Sequence, residues 1–326
     1  MDASTDPAVE WLLRSEDPSV RYFTLTDILE QSARSAPVRQ AKSHIPTGPR
    51  MSALLAGQQP DGGFGVRPYQ KFRGAHWRLV SLVELGIPPD DARAHAAAEQ
   101  VLDWLHGDAH RGRIQTINGL VRRCASQEGN ALGVCTYLGL GRDPRVKCLA
   151  DSLIEWQWPD GGWNCDKKPE AHHSSFYESL RPLWGLLQYH RATGDAAALA
   201  AAERTTDFFL RHRLFRSERT GEVINPAWLK LHYPLYWHYD ILQCLVILTL
   251  AGRALDPRAQ EALGIVEGKR LPAGVWKVEG CEWAAPGTRP SQVEVVDWGR
   301  RGPNEMITLN ALRVLKAAGR KEFSAD

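Results

Sequence analysis

Five glycines recur along this chain at nearly constant intervals: Gly62, Gly112, Gly161, Gly221 and Gly274 are separated by 50, 49, 60 and 53 residues. Two of them sit in almost the same context, Gln58 to Phe64 with Pro60, Asp61, Gly62 and Gly63, and Gln157 to Trp163 with Pro159, Asp160, Gly161 and Gly162. Pro-Asp-Gly-Gly is turn chemistry, because proline fixes its own φ and glycine supplies left-handed backbone. A weaker copy runs from Arg270 through Pro272 and Gly274 to Trp276, and degenerate copies occupy 112–114 and 221–223. A period near fifty means an array of supersecondary units, each burying its apolar face against the next.

Between the turns the apolar residues follow a helical period, and strand signals are scarce. Leu79, Leu82 and Leu85 match Leu180, Leu183 and Leu186 position for position, and Leu309, Leu312 and Leu315 repeat the pattern. Asp17-Pro18, Asp143-Pro144 and Asp256-Pro257 are helix starts. The predicted inner helices are 18–31, 75–86, 129–140, 175–190, 239–251 and 304–318, with a polar insertion over 281–302. Six helical hairpins of this kind predict an all-α fold, a single closed (α/α)6 toroid in which closure protects the terminal repeats. An open solenoid of helix pairs is the structural alternative.

Composition narrows the function classes. A net charge of +2 on 326 residues gives no basic stripe for nucleic acid. The longest apolar run, 241–252, is shorter than the roughly 20 residues of a membrane span. The first ten residues carry neither a basic nor an apolar signal region, so the expectation is a cytoplasmic protein with reduced thiols. Cys135, Cys148 and Cys244 lie among Leu, Val and Ile and read as small buried hydrophobes.

The turns at Gln157 to Trp163 and Gln58 to Phe64 resemble those of the squalene-hopene and other class II terpenoid cyclases and of protein prenyltransferase beta subunits, which are α/α toroids. The chain is similar also to small bacterial proteins with a Cys before one inner helix, a Gly-Gly-Trp-x-Cys turn and a His-Ser-x-Phe helix start, here Cys124, Cys165 and 173–176. The resemblance implies an isoprenoid-like or other apolar small-molecule substrate. It departs where the chemistry lies: the chain has no Asp-x-Asp-Asp run and no Asp-x-Cys zinc motif.

Segments leading into the inner helices place their side chains around one rim of such a ring. Cys124, Cys165 and His173 fall on neighbouring hairpins, and two thiolates with an imidazole are zinc ligands. That set resembles the Cys, Cys, His site of lanthionine cyclases; its alternative is independent structural cysteines and a solvated His pair. Asp240, His238, Tyr177 and Glu305 are the candidate catalytic groups, Asp240 as a general acid or, equally, as the N-cap of an apolar helix. His76, Trp77, Glu128, Trp237 and Tyr239 are expected at the substrate pocket, and Arg21, Arg122 and Arg123 as anion clamps or loop ties. A carbohydrate lyase or hydrolase using paired carboxylates such as Glu128 and Asp240, and a non-catalytic scaffold, are the competing function classes.

Overall fold

Aspartate followed by proline starts four of the helical segments, and the same bond does it each time. In a computed structural model that describes residues 6–288 and 292–320, Asp6, Asp17, Asp143 and Asp256 each accept from the backbone N–H two residues on, at 2.8–3.0 Å. The carboxylate satisfies a donor that the first helical turn leaves orphaned, and proline at N1 has none to satisfy.

The described residues form fourteen α-helices. Six outer–inner pairs account for most of them: α1 (Pro7–Leu13) with α2 (Pro18–Phe23), α4 (Pro49–Leu55) with α5 (Ala75–Glu84), α6 (Ala92–His106) with α8 (Ser126–Tyr137), α9 (Pro144–Trp156) with α10 (Phe176–Thr193), α11 (Ala196–Arg211) with α12 (Ile241–Leu250), and α13 (Gln260–Gly268) with α14 (Glu305–Ala317). Helix α3 (Ala36–His44) and the short α7 (Asp108–Arg111) lie on the connections. Helix α2 runs straight into a π-helical stretch, Thr24–Ile28. Inner helices contact in sequence order, α5 with α8, α8 with α10, α10 with α12, α12 with α14. At the two ends of the chain Arg313 pairs with Asp27 at 2.7 Å and Lys316 Nζ donates to the Ile28 carbonyl at 2.7 Å.

Glycine permits the closest approaches. A Cβ on Gly129 of α8 would lie 2.3 Å from Pro182 N, and one on Gly185 of α10 would lie 2.5 Å from Gly129 O. With Ser126 facing Glu178 and Gly129 facing Pro182, the two helices run parallel.

The strong turns are built by a shared set of bonds. Gln157 Nε2 donates to Gly161 O at 3.0 Å and to Ala201 O of α11 at 2.9 Å, tying the turn to the next outer helix. Gln58 does the same with Gly62 O and Arg93 O. Trp163 and Trp276 are buried, their indole N–H groups on Leu153 O and Val266 O, ten residues back, while their backbone N–H groups are taken by Ser179 and Thr308 of the following inner helix. Gly112 is the exception: its φ is −64°, ordinary right-handed backbone, so no equivalent turn forms there.

Instead the chain makes the one β-hairpin of the described residues, β1 (Gln115–Ile117) antiparallel to β2 (Leu120–Arg122). Asn118 and Gly119 join the strands with φ of 53° and 77°, the pair of left-handed residues that a two-residue hairpin turn requires. The described residues are otherwise mostly helical, as expected, with isolated β-bridges in the connections. The 281–302 insertion lies against the inner elements, with Phe72 N donating to Val293 O at 3.1 Å and Trp283 Nε1 to Tyr233 O at 3.1 Å; its residues 289–291 lie outside the described residues.

Candidate functional site

The hairpin decides where Cys124 goes. Arg122 bridges Asn164 in a parallel sense and Arg123 N donates to Asn164 O at 3.1 Å, so Cys124, two residues past the bridge, and Cys165, one residue past it, are brought close together. Glu178 joins them from the first turn of α10. One of its carboxylate oxygens accepts from the Ser126 backbone N–H at 3.0 Å, while the other faces Cys165 Sγ at 3.7 Å. The three donor atoms all lie within 4.8 Å of one another.

Three groups able to carry negative charge therefore meet at a site where Glu178 is buried. Burial raises the Glu178 carboxyl, which the Ser126 hydrogen bonds only partly offset. The hydrogen bond between the two thiols lowers Cys124 and raises Cys165, so the pair gives up one proton far more readily than two. A cation among the three would relieve this crowding. Two thiols and a carboxylate are zinc donors, and tetrahedral zinc with Zn–S bonds of about 2.3 Å sets ligand atoms about 3.8 Å apart, which this spacing accommodates.

His173 is not brought to this group. Its ring is exposed, 4.1 Å from that of His172, and only its carbonyl is engaged, by Asn164 Nδ2 at 2.8 Å. The third donor beside the cysteines is Glu178 instead.

Cys124 and Cys165 open onto a cavity of about 620 Å³. Six cations line it, Arg67, Lys71, Arg113, Arg122, Arg123 and Lys167, and no carboxylate does so among the described residues. Aromatic surface comes from Tyr69 and Trp104. Burial lowers the Lys71 ammonium, which sits 4.3 Å over the Trp237 ring. Arg122 is only 2 % exposed; its guanidinium lies 4.6 Å over Trp158 and donates to Ala171 O at 2.9 Å, but Nε and Nη1 have no hydrogen-bond partner among the described residues. Beneath the cavity, Arg123 Nε donates to Glu128 Oε1 at 2.8 Å and His110 Nε2 lies 3.2 Å from the same oxygen. Burial acts to raise the Glu128 carboxyl, yet the hydrogen bonds from His110 and Arg123 and the guanidinium charge outweigh it and hold it below the ordinary value.

The other expected site residues are dispersed. Asp240 caps α12 by accepting from Gln243 N at 2.8 Å, and its second oxygen takes His232 N at 3.0 Å and faces His232 Nδ1 at 3.1 Å. Tyr239 is in the core with its hydroxyl on Leu214 O at 2.6 Å, and Trp77 is buried with its indole on Tyr69 O at 3.0 Å. His76 is buried among Tyr69, Trp77 and Trp104. Burial, against the opposing pull of Glu128, pushes its pKa down to about 3. Tyr177 accepts from Trp228 Nε1 at 3.0 Å. Glu305 pairs with Arg50 at 2.6 Å. His238 stacks on Trp237 at 4.0 Å and is lowered to about 4, first by burial and then by His232. Of the expected pocket set, Trp237 approaches the cavity through Lys71 and Glu128 lies under its Arg123. Arg21 is engaged with the Ser15 carbonyl.

Glu178, His110, Lys71 and Tyr69 belong to the site without having been expected there. For Glu178 a signal exists in its place in the first turn of the helix that follows Cys165; the others come from segments whose meeting is tertiary.

No known protein family matches the chain, and no curated protein matches it. Among solved structures it is similar to a variant of the type II terpene cyclase MstE from Scytonema in complex with its substrate geranylgeranyl dihydroxybenzoate. The likeness is 17% identity over 96% of this chain and 99% of that chain, with a TM-score of 0.43. Among the described residues no helix is long and apolar enough to cross a membrane.

Proposed function

We propose that the chain is a zinc-dependent enzyme acting on an anionic, partly apolar small molecule, with Cys124, Cys165 and Glu178 as metal ligands. The observation that carries this reading is the convergence of those three donors at the wall of a cavity lined by six cations and no carboxylate among the described residues. Three protein ligands leave a tetrahedral ion one position free, the arrangement of catalytic rather than structural zinc. Zinc bound there supplies a lowered pKa to a water or thiol, or polarises an oxygen. The remaining work falls to the chain's own groups. Ser126 N–H fixes one Glu178 oxygen and so orients the other, as outer partners of metal ligands do. Lys71 and Arg122 bind the anionic end, and the faces of Tyr69 and Trp104 take the apolar part. An isoprenoid-like anion is one member of that substrate class. The six helix pairs, with Arg313 and Lys316 of the last meeting Asp27 and Ile28 of the first, are read as a closed (α/α)6 toroid of the terpenoid cyclase and prenyltransferase kind. Free thiols at the centre fit a reducing cytoplasm.

Elemental analysis of tag-free protein from zinc-supplemented growth tests the reading. Near-stoichiometric zinc is expected in the wild type and in His173→Ala, and its loss in Cys124→Ser, Cys165→Ser and Glu178→Gln. A metal-free wild type, or zinc that persists when both cysteines are changed, refutes it.

A further inference from the structure

A second cavity, of about 600 Å³, lies at the other end of the inner helices, and no residue lines both cavities. Its wall takes one side chain or more from each inner helix: Phe23, Val83, Tyr137, Trp184, Val246 and Met306. Val83, Tyr137 and Leu250 come from the last turns of α5, α8 and α12, whereas Cys124 and Cys165 precede the first turns of α8 and α10. Along α12 the lining residues are Gln243, Val246, Ile247, Thr249 and Leu250, at i, i+3, i+4, i+6 and i+7, so one side of that helix faces the space. Val246, Thr249 and Leu250 are half-buried on a helix whose other residues are buried.

Every charged side chain on this wall already has a partner. Arg313 is paired with Asp27 at 2.7 Å, Lys316 with Glu30 at 2.8 Å, and Arg181 with Glu84 at 3.2 Å, with Tyr233 OH on the second Glu84 oxygen at 2.9 Å. An ionic ligand would have to break one of these pairs to be matched. Several neutral groups are not so engaged, the half-buried Gln188 amide among them. The Gln243 amide and the Trp184 indole N–H belong to residues that are 9 % and 7 % exposed, both line the cavity, and neither makes a hydrogen bond among the described residues. A pocket with apolar walls and a few unengaged polar groups is the form of a small-molecule site.

We propose that this cavity is a binding site for a neutral, largely apolar small molecule bearing a carbonyl or hydroxyl oxygen, which accepts from Trp184 Nε1–H and pairs with the Gln243 amide. The site is separate from the cysteine cavity, and its occupation requires neither the metal nor the anionic substrate proposed above.

Prodan, a neutral aminonaphthalene ketone whose emission moves to shorter wavelength in apolar surroundings, is the probe. Titration of the full chain is expected to show saturable binding of one molecule with blue-shifted emission. Trp184→Phe, which removes the N–H and keeps an aromatic wall, is expected to weaken binding about fivefold, the value of one neutral hydrogen bond. Val246→Trp combined with Leu250→Trp, which places two indoles in the space, is expected to weaken it more than tenfold, with circular-dichroism melting confirming that the variant folds. Cys124→Ser and added inorganic pyrophosphate are expected to leave it unchanged. Absence of saturable binding to the wild type overturns the proposal, as does undiminished affinity in the folded double variant. Should the double variant not fold, unchanged affinity in Trp184→Phe overturns it. Loss of binding in Cys124→Ser, or competition by pyrophosphate, would place the probe in the cysteine cavity and likewise overturn it.

Discussion

His76 makes the stability of this protein depend on pH in a way that can be isolated. Its imidazole is 2 % exposed, Nε2 has no hydrogen-bond partner among the described residues, and its pKa falls from an ordinary 6.5 to about 3. The folded chain thus holds the ring neutral, while the unfolded chain takes up a proton as soon as pH drops below 6.5. Stability from this residue is complete above that value and is lost as pH falls towards the folded pKa, at about 1.4 kcal/mol per pH unit. Between pH 6.5 and pH 4.5 the loss is about 2.3 kcal/mol. His76→Leu removes both the titration and an unpartnered buried nitrogen, so at pH 7 the variant is expected within about 1 kcal/mol of wild type. At pH 4.5 it should be the more stable of the two by about 2 to 3 kcal/mol relative to that starting difference. Urea denaturation followed by circular dichroism at both pH values measures this. His238, lowered to about 4, adds its own dependence to both proteins and cancels in the comparison. Parallel loss of stability in wild type and His76→Leu would refute the reasoning.

Glu128→Gln leaves Arg123, 7 % exposed, without its counter-charge and takes the carboxylate away from His110. The expected cost at pH 7 is about 3 to 5 kcal/mol, the range for breaking a buried ion pair from one side. Because the folded Glu128 carboxyl is held below its ordinary value, that gap should close as pH falls below 4.5 and on through the lower folded value; a gap independent of pH in the same titrations would show that the ion pair is not its source. Gly161→Ala places a methyl group 2.6 Å from the Arg204 carbonyl at a φ of +104°, while Gly221→Ala at +72° meets nothing within 4 Å. Thermal melts should show the first losing at least about 2 kcal/mol and the second about 1 kcal/mol, and equal losses would mean that backbone conformation alone, not contact with α11, makes glycine necessary at 161.

The turns and helices were legible because each is encoded within a few residues. Asp before Pro, Gln four residues before Gly, and a buried Trp two residues after it are local instructions, and in the structure each makes its own hydrogen bond. The Asn118-Gly119 hairpin was equally local, and the strongest short signal for such a turn. The fifty-residue interval points instead to Gly112, six residues earlier, whose backbone is right-handed. The cation-lined cavity was not legible in this way. Its charges come from 67–71, 113, 122–123 and 167, separate stretches that meet only once the hairpin is paired with the turn segment.

The difference between His173 and Glu178 turns on helix phase, which spacing along the chain does not report. Through 172–175 the backbone is irregular and its polar groups serve the turn: Asp160 takes both the N–H and the hydroxyl of Ser174, and Asn164 takes the carbonyl of His173. With the main chain held inward by these bonds, the two imidazoles project outward and lie tilted against one another. Once α10 begins at Phe176 the side chains fan out by about 100° per residue. Tyr177 turns to Trp228, Glu178 to Ser126 and Cys165, Ser179 to Trp163. Only one residue of the first turn can face α8 at the level of Ser126, and in this helix it is an acid. A histidine five residues earlier, however well suited to zinc, has no route to that position without unwinding the turn that pairs the two cysteines. Moving the imidazole into phase, as Glu178→His, is therefore the substitution that would restore a Cys, Cys, His donor set.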